Sequence, residues 1–130
     1  NIMISCRIME DIFPNCTNVL QVEGTSVTFP KTIWEVLDRA SVFSKRDNTL
    51  DEEVSITLEN KRIKIKSSSD TGRFEEESNI KYTEEPVTFL ITPSLLKEIL
   101  SETLTFILGE RMLKFEGENW EYVVMLRYIK

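Results

Sequence analysis

The 130-residue sequence contains no histidine and only two cysteines, four glycines and four prolines. Without histidine there is no Ser-His or Cys-His pair to activate a nucleophile, and the sequence contains no glycine-rich phosphate loop. Cys6 and Cys16 are too few soft ligands for a tetrahedral zinc site and would make a thin disulfide framework. We therefore expect a non-catalytic protein with two reduced thiols, no metal and no cofactor.

Long apolar runs and an excess of basic residues are also missing. No apolar run approaches the length of about 18 residues that a membrane-spanning helix needs, and the first residues lack the layout of a signal peptide. We expect a soluble, cytoplasmic protein that does not bind membranes. The formal charge of −6, from 16 basic and 22 acidic residues, disfavours a protein that coats nucleic acid, because affinity for phosphates comes mostly from Lys and Arg. Any DNA contact should be local or weak.

The residues that are present predict one compact domain with regular elements. Apolar residues make up 41% and charged residues 29% of the chain, a composition typical of globular domains. Pro30 is placed to open the first predicted helix, and Thr92 to cap the second. Hydrophobic periodicity predicts helices over 31–46 and 93–102, and strands over 26–30, 52–59, 62–66, 72–82, 86–92, 104–109, 111–117 and 120–129.

These elements form the same series twice. The order β-α-β-β-β occurs in each half of the chain, and "SVTFP" at 26–30 is echoed by "PVTFL" at 86–90. A repeated unit that cannot bury its own apolar face must pack against its twin. The sequence therefore predicts an α+β fold with pseudo-twofold symmetry, in which two helices lie side by side across two antiparallel sheets.

Three motifs on this duplicated pattern resemble the bacterial DNA polymerase III β subunit, the DNA sliding clamp. They are "FPNCTNVL" (13–20), similar to the family's F-P-D-Y-x-x-V-L link, "DRASVFS" (38–44), similar to its R-A-x-I/V-L-S helix, and "YVVMLRYIK" (122–130), similar to its terminal Y-V-V-M-P-M-R/K. Leu126 replaces the family's proline and Asn15-Cys16 replaces its Asp-Tyr, which indicates a divergent or phage-encoded clamp.

The resemblance implies a division of the chain. Residues 1–24 would be the last strand of a preceding module, over 1–9, followed by the link between modules. Residues 25–130 would be the complete C-terminal, third module. We therefore expect that the sequence begins partway through a larger protein, an idea that the strand-like residues 2–8 also favour.

The resemblance also implies a peptide groove, made by the last strand, the F-P link and the start of the second helix. Its ligands would be short hydrophobic motifs of DNA polymerase and clamp-loader subunits. The implied wall residues are Pro14, Asn18, Val19, Thr92, Leu95, Val123, Val124, Met125 and Leu126. An apolar pocket suits such anchors, and methionine adapts to several ligands. The alternative is structural: Val123 and Met125 would fill the core, while Val124 and Leu126 would cover a sheet edge.

Two further surfaces follow from the resemblance. The DNA-facing surface would use basic residues of the two helices, namely Lys31, Arg39, Lys45, Arg46 and Lys97. The two helical stretches carry five basic and four acidic residues, a modest excess of one that suits diffuse, non-specific contact with a duplex. Ordinary solvated helix faces are the alternative. Val42 and Phe43 would seal one subunit to the next, although burial of Phe43 within the module is equally compatible with the pattern.

A second basic stretch is "KRIKIK" at 61–66. Arg62, Lys64 and Lys66 share one strand face, and Glu75 and Glu77 could lie opposite them. We interpret this stretch as cross-strand ion pairing on a solvated sheet rather than as a nucleic-acid patch, and expect the acidic run at 75–77 on the outer surface.

As a whole, the resemblance predicts a processivity factor: a module of a homodimeric ring that encircles double-stranded DNA and tethers polymerase and clamp loader, in a bacterium or a phage-infected cell. The alternative is a non-catalytic protein-interaction domain without a DNA role. A third, weaker hypothesis is a nucleic-acid binder that uses residues 61–66.

Overall fold

The computed structural model of the chain describes residues 1–48 and 51–128, which form three helices and nine strands. None of these helices is long and apolar enough to cross a membrane. The elements in chain order are α1 (Thr17–Leu20), β1 (Thr25–Thr28), α2 (Ile33–Val42), β2 (Val54–Glu59), β3 (Arg62–Ser69), β4 (Gly72–Asn79), β5 (Val87–Ile91), α3 (Pro93–Leu100), β6 (Thr105–Leu108), β7 (Met112–Glu116), β8 (Glu121–Met125) and β9 (Arg127–Tyr128).

The strands form two antiparallel sheets. Sheet A has the order β1-β6-β7-β8, and sheet B has the order β4-β3-β2-β5-β9. The first strand of each repeat pairs with a strand of the other repeat, since β1 pairs with β6 and β5 pairs with β2. The α+β fold with a duplicated β-α-β-β-β unit is therefore confirmed, and each sheet contains strands from both repeats.

The two long helices lie side by side, as the sequence predicted. Helices α2 and α3 contact each other. The Lys97 ammonium forms a salt bridge with Asp38 Oδ1 at 3.2 Å and lies 5.2 Å from the centroid of the Trp34 ring. One lysine of α3 therefore joins two residues of α2 at the surface of the helix pair.

The core lies between the helices and the inner faces of both sheets. In β2 the alternation is complete, because Val54, Ile56 and Leu58 are fully buried while the residues between them are partly exposed. In sheet A, Phe106 lies 4.6 Å from Phe29 and 5.8 Å from Phe115 between ring centroids. Apolar burial of this kind is the main source of stability in a domain of this size.

Helix α2 is shorter than the predicted range of 31–46. It begins at Ile33, just after Pro30, and ends at Val42. The backbone N–H of Phe43 donates to the Ala40 carbonyl at 3.1 Å, and that of Ser44 donates to Ser41 at 3.2 Å. These tighter bonds close the helix, so the apolar periodicity continues beyond the helix itself.

The first part of the chain also differs from the prediction. Residues 1–15 contain no strand or helix and are exposed, and the link contains the short helix α1. The strand predicted at 1–9 does not form here because no other segment of the described chain pairs with it, and a strand needs a hydrogen-bonded neighbour. The assignment of these residues to a preceding module, and the domain boundary at residue 25, remain predictions.

The strand predicted over 120–129 is divided at Leu126. Strand β8 pairs with β7 in sheet A, whereas β9 pairs with β5 in sheet B. The Leu126 N–H donates to the Arg111 carbonyl at 2.8 Å, and its side chain is buried. The chain therefore passes from one sheet to the other at this residue. Residue 129, at the end of the prediction, lies outside the described residues.

Candidate peptide groove and DNA-facing surface

The link and the last strand of sheet A lie together. Strand β8 is at the edge of its sheet, and helix α1 lies against it. Residues that follow α1 pack nearby, since Val22 Cγ1 approaches Gly109 at the turn after β6. The structure thus brings the link next to β8, which is the arrangement that the peptide groove requires.

The register of β8 separates its side chains into two sets. Val124 lies opposite Leu113, which is fully buried, and packs against the core. Val123 lies opposite Lys114, and Met125 lies opposite Met112, on the outer face of sheet A. The Met125 side chain is 65% exposed. The structural alternative for Val123 and Met125 is therefore wrong, because they do not fill the core.

Leu126 and Val124 belong to the interior. Leu126 is 7% exposed and is part of the core cluster, while Val124 is partly buried against it. The alternative in which these two residues cover a sheet edge is therefore also wrong. In a groove they would support the wall from behind, whereas Met125 and Val123 would face a ligand.

The other predicted groove residues come from three elements. Thr92 directly follows β5. Leu90 of β5 pairs with Arg127, which comes two residues after Met125, so Thr92 lies near the end of β8. Leu95 is half-buried in the first turn of α3. Asn18 and Val19 are exposed in α1, next to β8. Pro14 is exposed before α1, and its carbonyl accepts the Cys16 thiol at 3.5 Å.

Sequence reasoning missed Met112 and Ile107 at this surface. Met112 pairs with Met125, and Ile107 lies in one row with Lys114 and Val123 across sheet A. The signal was present in "RMLKFE", where Leu113 and Phe115 alternate with Met112 and Lys114. Because the first pair is buried, the second pair must point to the opposite face.

A charged cluster lies beside these apolar residues. The Lys114 ammonium is 3.0 Å from both Glu116 Oε1 and Glu121 Oε1, and little of its side chain is exposed. Hydrogen bonds to Glu116 and then Glu121 raise the pKa of Lys114 above its usual value. The lysine stays charged at neutral pH and ties β7 to the start of β8.

The five basic residues predicted to face DNA are not equally available. Arg39 makes a bidentate salt bridge with Glu76 of β4, with its shortest N–O distance 2.8 Å, and Lys97 is paired with Asp38. The Arg46 guanidinium donates to the Lys45 carbonyl at 2.9 Å. Within the described part of the chain, Lys31 and Lys45 are exposed and form no salt bridge.

The pairing of Arg39 corrects one expectation. Residues 75–77 were expected on the outer surface, but Glu76 points to the helix side, because it alternates with Glu75 and Glu77 in β4. Its charge cancels the predicted basic excess of one on the helix side. Any local positive charge on the helix side therefore comes from the placement of single basic residues.

Val42 and Phe43 have different environments. The Val42 side chain is 60% exposed at the end of α2. Phe43 is partly buried and stacks on Phe74, with 6.4 Å between the ring centroids, and its ring edge lies over Gly72. Phe43 thus packs within the module, which leaves Val42 as the exposed member of the predicted interface.

Three basic residues of "KRIKIK", namely Arg62, Lys64 and Lys66, are paired across the sheet, as the sequence predicted. Glu77 contacts Arg62 at 3.1 Å and Lys64 at 2.9 Å, and Glu75 lies 3.6 Å from both Lys64 and Lys66. The hydrogen bond to Glu77 raises the pKa of Lys64, and the same bond lowers the pKa of Glu77. The interpretation as ion pairing is confirmed, which removes the main argument for a nucleic-acid patch here.

Residues that could ligate metals are not clustered. In the part of the chain that the structure describes, no group of three or more Cys, Asp or Glu side chains could hold a metal ion. Cys6 and Cys16 are both exposed and free.

The comparison with known proteins supports this architecture. No protein-family model and no curated protein sequence matches the chain. The chain is similar to the DNA polymerase III subunit β from Pseudomonas aeruginosa, with a TM-score of 0.74 and 20% identity over 93% of this chain and 36% of that one. It is also similar to a sliding clamp from Bartonella birtlesii bound to griselimycin, with a TM-score of 0.78 and 19% identity over 93% of this chain and 35% of that one.

A Pseudomonas aeruginosa sliding clamp bound to griselimycin gives the same result, with a TM-score of 0.74 and 22% identity. The chain spans about a third of the length of these clamps. The resemblance that the motifs indicated is therefore present in three dimensions: the chain has the fold of a DNA polymerase III β-subunit sliding-clamp module.

Proposed function

We propose that the chain is the C-terminal module of a ring-shaped sliding clamp, a non-catalytic processivity factor that encircles duplex DNA. The observation that carries the proposal is the fold, shared with sliding clamps over 93% of the chain. The three sequence motifs support the same assignment, and the link lies against β8, next to which the groove is expected.

In this function the outer side of β8 and helix α1 bind short hydrophobic peptides of polymerase and clamp-loader subunits. Val19 and Met125 support this role, because their side chains are 49% and 65% exposed although both are apolar. Binding becomes more favourable when a ligand removes exposed apolar side chains from water. Met125 and its neighbour Met112 also supply the adaptable surface that suits several partners.

The groove is tested by peptide binding to the chain. We expect a labelled peptide with a Q-x-x-L-F-like motif to bind, with affinity measured by fluorescence anisotropy. Griselimycin is a second probe, because two of the similar clamps are bound to it. Met125→Asp should abolish binding of the peptide, since it places a charge in the apolar contact surface.

Val42→Asp is the matched control, because it makes the same kind of change at an exposed apolar residue of another element. It should leave the peptide affinity unchanged. Peptide binding that survives Met125→Asp, or that both variants weaken equally, would contradict the groove assignment.

Encirclement of DNA needs the complete ring, so the chain alone should have negligible affinity for short linear duplexes. The clamp's hold on DNA is topological in this proposal, and Lys31 and Lys45 add only diffuse charge. The full-length protein, loaded onto circular DNA, should be retained on the circle and lost when the circle is cut. Retention that persists after cutting would contradict encirclement.

The protein-interaction alternative gives a different pair of results. A domain without a DNA role would bind peptide through the same surface, yet the full-length protein would show no retention on circular DNA. The two assays together therefore separate the tethering role from the DNA role.

A further inference from the structure

A cleft lies at one end of sheet B, away from β8. Its volume is about 790 Å³, and it is formed where the loop after α2 meets the start of β2, the end of β3 and the start of β4. It includes no residue of the predicted peptide groove, and it shares only Arg46 with the predicted DNA-facing set.

Three basic side chains line this cleft: Arg46 from the loop after α2, Lys66 from β3 and Arg73 from β4. Among the described residues, the guanidinium groups of Arg46 and Arg73 form no salt bridge, although the Arg46 backbone N–H donates to Glu52 Oε1 at 3.4 Å. The guanidinium groups of Arg39, Arg62 and Arg127 are each paired with a glutamate. The cleft thus contains two arginine side chains whose charge no described carboxylate neutralises.

The lining also holds hydroxyl groups and two apolar residues, Phe74 and Leu90. Ser55 and Ser68 line the cleft, and neither side chain makes a hydrogen bond to another described residue. Arg46 is held in place, because its Nη1 donates to the carbonyls of Ser44 at 3.5 Å and Lys45 at 2.9 Å. Its remaining N–H groups stay available for a ligand.

Two acidic residues in the lining limit how many negative charges the cleft can accept. Glu53 is paired with Arg127, and Glu75 lies 3.6 Å from Lys66. Both therefore have a cation of their own, and the unpaired charge of the cleft is positive. Glu77, further along the same sheet face, and the overall charge of −6 disfavour a long polyanion such as DNA. The cleft suits a short anion with several charges.

We propose that this cleft binds the polyphosphate chain of a small molecule, with Arg46 and Arg73 as its principal ligands. Guanidinium groups bind phosphate oxygens in a bidentate manner, and two of them from separate elements suit more than one phosphate. The Ser55 and Ser68 hydroxyl groups donate hydrogen bonds to the same polyphosphate. The volume leaves room for a nucleoside next to the partly exposed Leu90.

The test is calorimetric titration of the chain at low salt with inorganic tripolyphosphate and, separately, with ATP. We expect saturable binding of both probes. Combining Arg46→Gln with Arg73→Gln should weaken binding by about tenfold or more, because each change removes charge-assisted hydrogen bonds. Both side chains are exposed, so the variant should keep its circular dichroism spectrum.

The matched control combines Lys81→Gln with Arg111→Gln, which removes the same total charge from exposed residues outside the cleft. It should change the affinity by no more than about twofold, as expected for distant, screened charges. The proposal is overturned if the chain shows no saturable binding of either probe, or if the control weakens binding as much as the cleft variant.

Comparison of the two probes identifies the source of the phosphates. Equal affinity for tripolyphosphate and ATP supports recognition of the phosphate chain alone. Tighter binding of ATP that Leu90→Ser reduces supports a nucleotide, whose base lies against Leu90.

Discussion

Thr28 and Thr105 share a hydrogen bond between their hydroxyl groups, with 3.0 Å between the oxygens, where β1 pairs with β6. The other sheet has the same arrangement, because Thr57 and Thr88 lie 2.9 Å apart where β2 pairs with β5. Thr28 and Thr88 are the central residues of "SVTFP" and "PVTFL". The threonine that the two similar sequences share therefore makes an equivalent contact in each sheet, and each contact joins one repeat to the other.

A double-mutant cycle measures this contact. Thr57→Val and Thr88→Val, singly and together, should give a coupling free energy of about 0.5–1 kcal/mol in urea unfolding, typical of a cross-strand hydroxyl pair. Thr57→Val combined with Thr105→Val is the control, since these residues are in different sheets and their effects should add. Equal coupling in both cycles would show that the hydrogen bond is not its source.

Gly24→Ala should destabilise the domain by about 1–3 kcal/mol, the usual range for overpacking. A methyl group at Gly24 would overlap the backbone carbonyl of Leu108 in β6, which is fixed by its pairing with β1. Thermal unfolding provides the measurement. Gly72→Ala is the comparison: its methyl group would meet only the ring edge of Phe43 at 2.9 Å, which can shift, so its loss of stability should be smaller.

Lys61→Gly should raise the free energy of unfolding by about 0.5–1 kcal/mol, because a left-handed backbone is costly for lysine and not for glycine. Lys61 has φ 64° in the turn between β2 and β3. Its backbone N–H donates to the Tyr82 carbonyl at 2.9 Å, and its carbonyl accepts from the Ile80 N–H at 3.0 Å. Glycine keeps both bonds. Ser68→Gly, in the extended β3, should instead lower stability; a loss in both variants would contradict the explanation.

The loss of folding stability at low pH should depend in part on Glu77. Hydrogen bonds from Lys64, then Arg62, lower the pKa of Glu77 from its usual value of 4.5. A carboxyl group whose pKa is lower in the folded state stabilises the fold above about pH 4.5 and loses this effect as the pH falls through the folded value. Glu77→Gln should therefore lose less stability than the wild type between pH 7 and pH 3.

Urea unfolding at both pH values measures this difference. Glu118→Gln is the control, since Glu118 is exposed and forms no salt bridge with any described residue. It should keep the wild-type dependence on pH. The same reduction in both variants would mean that net charge, and not the ion pair, causes the loss of stability at low pH.

Substitutions of Val42 and Phe43, the two residues predicted at a subunit interface, should have different effects. Phe43→Ala should lower the stability of the chain by about 1–3 kcal/mol, because it removes the stack on Phe74. Val42→Asp should change stability by no more than about 0.5 kcal/mol, as for most surface substitutions. If the proposed ring is correct, Val42→Asp should weaken subunit association in the full-length protein, measured by analytical ultracentrifugation.

Much of the fold was accessible from sequence because local patterns were unambiguous. Val54, Ile56 and Leu58 alternate with polar residues, so one face of β2 had to be buried. The spacing of Arg62, Lys64 and Lys66 likewise identified the ion pairs of β3 and β4. Strict alternation assigns each side chain to a face without any knowledge of the remaining chain.

The site was harder, because β8 lacks this alternation. Residues 122–126 are all apolar, so no pattern shows which of Val123 and Val124 faces the core. The pairing with β7 decides it, since Leu113 is buried and lies opposite Val124. The change of sheet at Leu126 depends on a contact with Arg111 that no local pattern encodes.

The exchange of first strands between the repeats has a consequence for how such a fold can be assembled. Neither repeat alone completes a sheet: β1 needs β6, and β2 needs β5. Two copies of a half-length polypeptide satisfy the same pairing if each lends its first strand to the other. An entwined dimer of single repeats would therefore have the same strand pairing, with two chains in place of one.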